Sequence, residues 1–145
     1  MLITLNVAAN KMKSDRKIIV IEDDRDISEL IAYNLHKHGY SCEQIFNGLE
    51  AVEELKRKPF EIIILDLMLP GLDGFDICRE LQSEGDNQRR FIIVVSARNS
   101  AEDKMYANML GASMYLTKPF SVAQLISAVD EIDSILDREY VVKAK

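Results

Sequence analysis

Apolar and polar residues fall along this chain in blocks of two kinds. One is a short continuous apolar run, rich in β-branched residues and bounded by charge, the mark of a strand buried on both faces. The other spaces apolar residues three and four apart, the mark of a helix with one buried face. "KIIVIE", from Lys17, is the first run; Ile27, Leu30, Ile31 and Leu35 then recur at helical spacing, and Gly39 closes that helix. "YSCEQIF" predicts a weaker second strand, and a second helix spans about Leu49 to Lys58 until Pro59 breaks it. "EIIILDLMLP" supplies the third strand, and "LDGFDICRELQSEG" the third helix, with Asp73 as N-cap and Gly85 as stop. "RFIIVVSA" is the fourth strand, followed by a helix from about Ser100 to Leu110 that ends at Gly111. "ASMYLT" is the fifth strand, and beyond Pro119 a last helix carries Val122, Leu125, Ile126, Val129, Ile132 and Leu136 on one face.

Five strands alternating with five helices imply right-handed crossovers and a mainly parallel sheet covered on both faces. Such sheets place ligands beyond the carboxyl ends of their strands, where the strand order reverses. The residues that finish each strand therefore carry the functional information. Strand one finishes in Glu22, Asp23 and Asp24, strand three in Asp66, strand four in Ser96, and strand five in Thr117 and Lys118.

Composition narrows the classes without changing this picture. A chain of 145 residues forms one domain with a real core, and 48% hydrophobic with 29% charged residues is ordinary globular composition. A net charge of −6 argues against a general nucleic-acid or anionic-membrane surface. The two cysteines, Cys42 and Cys78, form no CxxC and have no histidine pair nearby, which points to a reducing cytoplasm and buried thiols rather than a disulfide or zinc site. His36 and His38 read as solvated residues at a helix end. Residues 1–16 lack a basic leader, and their apolar stretch is too short to span a membrane. They read as an extension, frayed or disordered, with an extra edge strand left open.

The strand ends make a chemical set. Three carboxylates on one rim repel each other, and a hard divalent cation with oxygen ligands neutralises them. Mg²⁺ fits, because it takes one or two protein carboxylates and keeps waters and phosphate oxygens as its other ligands. A lysine adds positive charge, and the Ser96 hydroxyl can donate to an anionic oxygen. Together they suit a phosphoryl group carried on a carboxylate, with Asp66 as nucleophile and Lys118 stabilising charge on the transferring group. Each residue alone has an ordinary structural explanation: a helix N-terminus attracts acids, Asp66 can cap a loop, Ser96 can cap a helix, and Lys118 can be solvated. Their coincidence at four strand ends is what is specific.

The segments "IIVIEDD", "IIILDLMLPGLDG", "IIVVSA" and "GASMYLTKPF" resemble the receiver domain of bacterial two-component response regulators. The intervals agree too: 43 residues from Asp23 to Asp66, 30 from Asp66 to Ser96 and 22 from Ser96 to Lys118. The resemblance implies an α/β, doubly wound (βα)5 flavodoxin-like three-layer sandwich with strand order 2-1-3-4-5. It puts the receiver at residues 17–138, with 139–145 as a C-terminal tail. It implies that Asp66 is the phosphoacceptor, that Asp23 binds Mg²⁺ directly, that Glu22 holds it through water, and that the Met68 backbone carbonyl is a further ligand. Ser96 and Lys118 would contact the phosphoryl group, Tyr115 would be the aromatic switch, and the Lys118–Pro119 peptide would be cis. Asp24 takes no direct metal role. The implied partners are a sensor histidine kinase or phosphotransfer protein and a downstream protein effector, in the cytoplasm. The chain would be a monomer or a phosphorylation-dependent dimer and not a turnover enzyme.

Ser113 and Met114 precede Tyr115, and the last helix, "SVAQLISAVDEIDSILDREY", is acidic, unlike receivers that dimerise beside winged-helix DNA-binding domains. That favours a stand-alone receiver working through protein contacts. A haloacid-dehalogenase-type phosphatase needs a second aspartate where Met68 stands, and a flavin carrier needs a Ser-, Thr- or Gly-rich first loop where "EDDRD" stands. A degenerate receiver that binds partners without phosphorylation is the remaining alternative.

Overall fold

The computed structural model describes residues 12–83 and 90–144. Gly85 and the edge-strand alternative for residues 1–11 lie outside the described residues. Five parallel strands, β1 (Ile18–Ile21), β2 (Cys42–Ile45), β3 (Ile62–Leu65), β4 (Phe91–Ser96) and β5 (Ala112–Thr117), form one sheet in the order β2-β1-β3-β4-β5. The helices α1 (Arg25–Lys37), α2 (Gly48–Arg57), α3 (Gly74–Ser83), α4 (Ala101–Met109) and α5 (Val122–Ala144) connect and follow them. This is the doubly wound flavodoxin-like α/β sandwich.

Strand alternation sends successive side chains to opposite faces. Ile19, Ile21, Ile63, Leu65, Ile92 and Val94 meet Ala51, Leu55, Phe75, Ile77 and Ala107 of α2, α3 and α4. Ile18, Val20, Ile62, Ile64, Ile93 and Val95 meet Ile31, Leu35, Leu125, Val129 and Ile132 of α1 and α5. The residues of β1 and β3 are all buried, and each such side chain contributes roughly 1.5–3 kcal/mol, so these central strands fix the sheet. β2 is an edge strand with only Ile45 fully buried, which explains its weak apolar signal.

Two residues depart from the sequence pattern. Leu30 is 52% exposed, because Ser28 takes the inner position of α1, where its Oγ accepts from Gln44 Nε2 at 2.9 Å. Val122 of α5 is 38% exposed, while Leu125, Ile126, Val129, Ile132 and Leu136 are buried. Gly39 and Gly111 follow α1 and α4 with φ of +93° and +98°, the left-handed conformation that ends helices. Both histidines are exposed, and His38 Nδ1 lies 2.8 Å from the Asn34 carbonyl.

The far end of the sheet holds a feature the sequence hid. Arg16, counted with the extension, is buried in the fold. Its guanidinium donates to Asp133 Oδ1 at 2.5 Å, the Asp133 carbonyl at 3.1 Å, Glu61 at 3.3 Å and Asp137. Burial opposes the charge, but these acids outweigh it and hold the Arg16 pKa raised. Beside it the Tyr40 hydroxyl donates to Asp130 at 2.5 Å, and Lys13 pairs with the same carboxylate at 3.4 Å. The segment before β1 is thereby tied to α5, which runs helically to Ala144 through residues read as a tail.

Candidate functional site

β1 and β3 lie side by side, with Ile21 opposite Leu65, so the residues that follow them emerge together at the carboxyl rim. The Asp66 amide donates to the Ile21 carbonyl at 3.0 Å and the Glu22 amide to the Ile45 carbonyl at 3.1 Å, extending the ladders by one residue. Both acids stay largely buried, at 5% and 2% exposure, while Asp23 points to solvent. One carboxylate oxygen from each of Glu22, Asp23 and Asp66 lies within 4.8 Å of the others.

Lys118 brings the positive charge. Its Nζ donates to Glu22 Oε1 at 2.6 Å and to Asp66 Oδ2 at 3.0 Å. The other Asp66 oxygen, Oδ1, accepts from the Met68 amide at 3.0 Å. Burial holds Glu22 well above the usual carboxylate range, with Lys118 pulling it back and Asp66 pushing it further up. Lys118 loses by burial and gains more from its two carboxylate partners, so its pKa is raised. An all-oxygen set with two buried acids and one exposed one suits a hard divalent cation.

The remaining strand ends complete the rim. The Lys118 amide donates to the Ser96 carbonyl at 2.8 Å, which fixes the lysine backbone to β4, and the Lys118–Pro119 peptide is cis. Ser96 is fully buried, and its Oγ accepts from the Arg98 amide at 3.2 Å. Tyr115 is half-buried against the α2–α4 core, and its hydroxyl donates to the Arg98 carbonyl at 2.6 Å. The Met68 side chain is 58% exposed, so its contribution here is backbone. Asp24 caps α1, accepting from the amides of Asp26 and Ile27 at 3.0 and 3.2 Å. Asp73 caps α3 through the Phe75 amide at 2.9 Å.

One residue that positions the site escaped the sequence reading. A Cβ on Gly74 would lie 2.6 Å from Leu67 Cα and 2.7 Å from the Asp66 carbonyl oxygen, so α3 packs its first turn directly on the backbone that carries Asp66. The only sequence signal was a glycine immediately after the capping aspartate.

A parallel five-stranded sheet whose reversal point carries three clustered acids and a bridging lysine defines a receiver module. The family model described as the response regulator receiver domain matches residues 18–130, and the chain belongs to that family. The receiver domain of a Francisella response regulator is 30% identical, with TM-score 0.78 over 84% of this chain and 99% of that one. A DrrB receiver domain whose structure is described as BeF3-activated is 26% identical, with TM-score 0.72 over 81% of this chain and 96% of that one. A CheY-like receiver from Methanospirillum hungatei, at 21% identity and TM-score 0.78 over 86% and 98% of the two chains, shares the fold. Receiver domains are signalling modules of two-component systems rather than turnover enzymes. They work with histidine kinases or phosphotransfer proteins and typically bind Mg²⁺ through an acidic pocket. Among the described residues no helix is long and apolar enough to cross a membrane.

Proposed function

We propose that Asp66 accepts a phosphoryl group from a phosphohistidine on a sensor histidine kinase or phosphotransfer protein, and that this chain is a phosphorylation-dependent switch. The observation that carries the reading is the Lys118 bridge between Glu22 and Asp66 beside a third acid, Asp23. In the transfer the histidine N–P bond breaks, an Asp66 carboxylate O–P bond forms, and the imidazole nitrogen takes up a proton from solvent. Glu22, Asp23, Asp66 and the Met68 carbonyl would hold Mg²⁺, which when bound supplies positive charge to the transferring oxygens. Lys118, which donates to Asp66 Oδ2, faces the same oxygens and offers its positive charge to the transferring group. Charge stabilisation and positioning are all that phosphoryl transfer asks of a protein.

The product adds close to two negative charges at the rim. Ser96 Oγ then turns from the Arg98 amide to donate to a phosphoryl oxygen, and Lys118 follows the same charge. Tyr115 packs further inward behind Ser96, and the surface of α4, β5 and α5 changes its preference for a protein effector. Met68 and Arg98 flank the path of an attacking water and slow loss of the phosphoryl group. The working site is the cytoplasm, with the chain a monomer or a phosphorylation-dependent dimer that acts without touching nucleic acid itself.

Incubation with acetyl phosphate and Mg²⁺, followed by intact mass measurement, tests the reading. Wild type gains one phosphoryl mass and Asp66→Asn gains none. A wild type that stays unmodified while still binding its partners would instead mark a degenerate receiver.

A further inference from the structure

Arg98 is held from four sides. Its amide donates to Ser96 Oγ and its carbonyl accepts from the Tyr115 hydroxyl, so its backbone is clamped between the rim and β5. Its guanidinium donates to Asp103 Oδ1 at 2.7 Å in the first turn of α4 and stands 5.2 Å from the centre of the Phe75 ring on α3. Phe75 in turn meets Tyr106 of α4 at 4.8 Å between ring centres, tilted by 53°. The Arg79 guanidinium lies 5.5 Å from the Tyr106 ring centre and donates to the Tyr106 hydroxyl and to Asp76. A ladder of Arg98, Phe75, Tyr106 and Arg79 thus runs from the acceptor rim across the α3–α4 seam.

An Arg98–Asp103 pair with the arginine 40% exposed would, alone, be a surface ion pair of little consequence. The backbone clamp changes that. Any shift of the loop when Ser96 Oγ leaves the Arg98 amide moves the guanidinium against a ring that is only 6% exposed and packed in the core. We infer that Arg98 is a positioning residue that carries phosphoryl occupancy of Asp66 into the α3–α4 seam through Asp103 and Phe75, as a second branch beside Tyr115. The branch rests on the acceptor reading of Asp66. It gives this chain an output face at α3 and α4 that differs from the α4–β5–α5 surface.

The test uses the full chain, with backbone amides and the phenylalanine and tyrosine rings isotope-labelled, in Mg²⁺ with and without beryllofluoride as the phosphoryl mimic. In wild type the ring resonances of Phe75, Tyr106 and Tyr115 all shift on addition of the mimic. In Arg98→Ala the Tyr115 shift persists and those of Phe75 and Tyr106 vanish; Arg98→Lys, which keeps a cation over the ring, restores them. Asp103→Asn, which loosens the guanidinium without removing it, leaves the two shifts diminished. Phe75 and Tyr106 unmoved in wild type while Tyr115 moves, or shifting equally in Arg98→Ala, would overturn the branch alone. If Tyr115 and the Asp66 amide also stay put, the acceptor reading fails and the branch falls with it.

Discussion

The two ends of the sheet each gather acids around one base, and they do so in opposite senses. At the far end the base is the buried member: the Arg16 side chain is 3% exposed, while Asp133, Asp137 and Glu61 are 12%, 29% and 18% exposed. At the carboxyl rim the acids are the buried members: the side chains of Glu22 and Asp66 are 3% and 6% exposed, against 18% for Lys118. A guanidinium has five donors in a fixed fork, and at the far end these meet three carboxylates and a carbonyl whose outer surfaces reach water. That cluster finds its partners within itself. Two buried carboxylates sharing one ammonium, with a third acid beside them, are held close at a standing cost, which a divalent cation would relieve. One end pairs its charge internally, and the other gathers three acids around a single base.

Substitutions at the two ends should therefore separate acceptance from stability. The largest effect is on acceptance: Asp66→Asn abolishes the phosphoryl adduct, while its urea midpoint does not fall, because a repelling charge has been removed. Lys118→Ala slows modification by acetyl phosphate about a hundredfold, the scale of losing one preorganised electrostatic partner, measured by the time course of intact mass. Arg16→Leu acts in the other direction. Leaving three acids without their base destabilises the chain by about 3 kcal/mol in urea denaturation, while the folded fraction still takes up the phosphoryl group at the wild-type rate. Gly74→Ala affects both properties, costing about 1–3 kcal/mol through overpacking on Leu67 and slowing acceptance by displacing Asp66. Lys13→Ala is the smallest change, at about 0.5 kcal/mol, because the side chains of Lys13 and Asp130 are 47% and 46% exposed.

The same contrast explains what could be read from the sequence. The rim was legible because each of its residues closes an apolar run, so the strand pattern itself says where Glu22, Asp66, Ser96 and Lys118 emerge. The far end was not, because Arg16 meets Asp133 across 117 residues and no periodicity links a lone arginine to acids on a distant helix. Tyr40 reads as the start of a strand, yet it stands before β2 with its ring buried and its hydroxyl on Asp130. Leu30 follows helical spacing as well as Ile31 does, and only the Gln44 partner of Ser28 shows which side of α1 faces in. Nothing between Val122 and Ala144 breaks a helix, so no residue pattern marks where α5 ends. Gly74 looked like an ordinary helix start because the backbone it touches lies in the loop after Asp66, a contact that no local pattern encodes.

On the proposed function Asp66, and no other acid of the rim, carries the phosphoryl group. Treating the acetyl phosphate product with borohydride reduces an aspartyl phosphate to homoserine, and peptide mapping then locates it. Homoserine at position 66 alone, in wild type and in Arg16→Leu alike, is the predicted result. Homoserine at position 22, 23 or 24, or none at position 66 in a chain that has gained the phosphoryl mass, would contradict it.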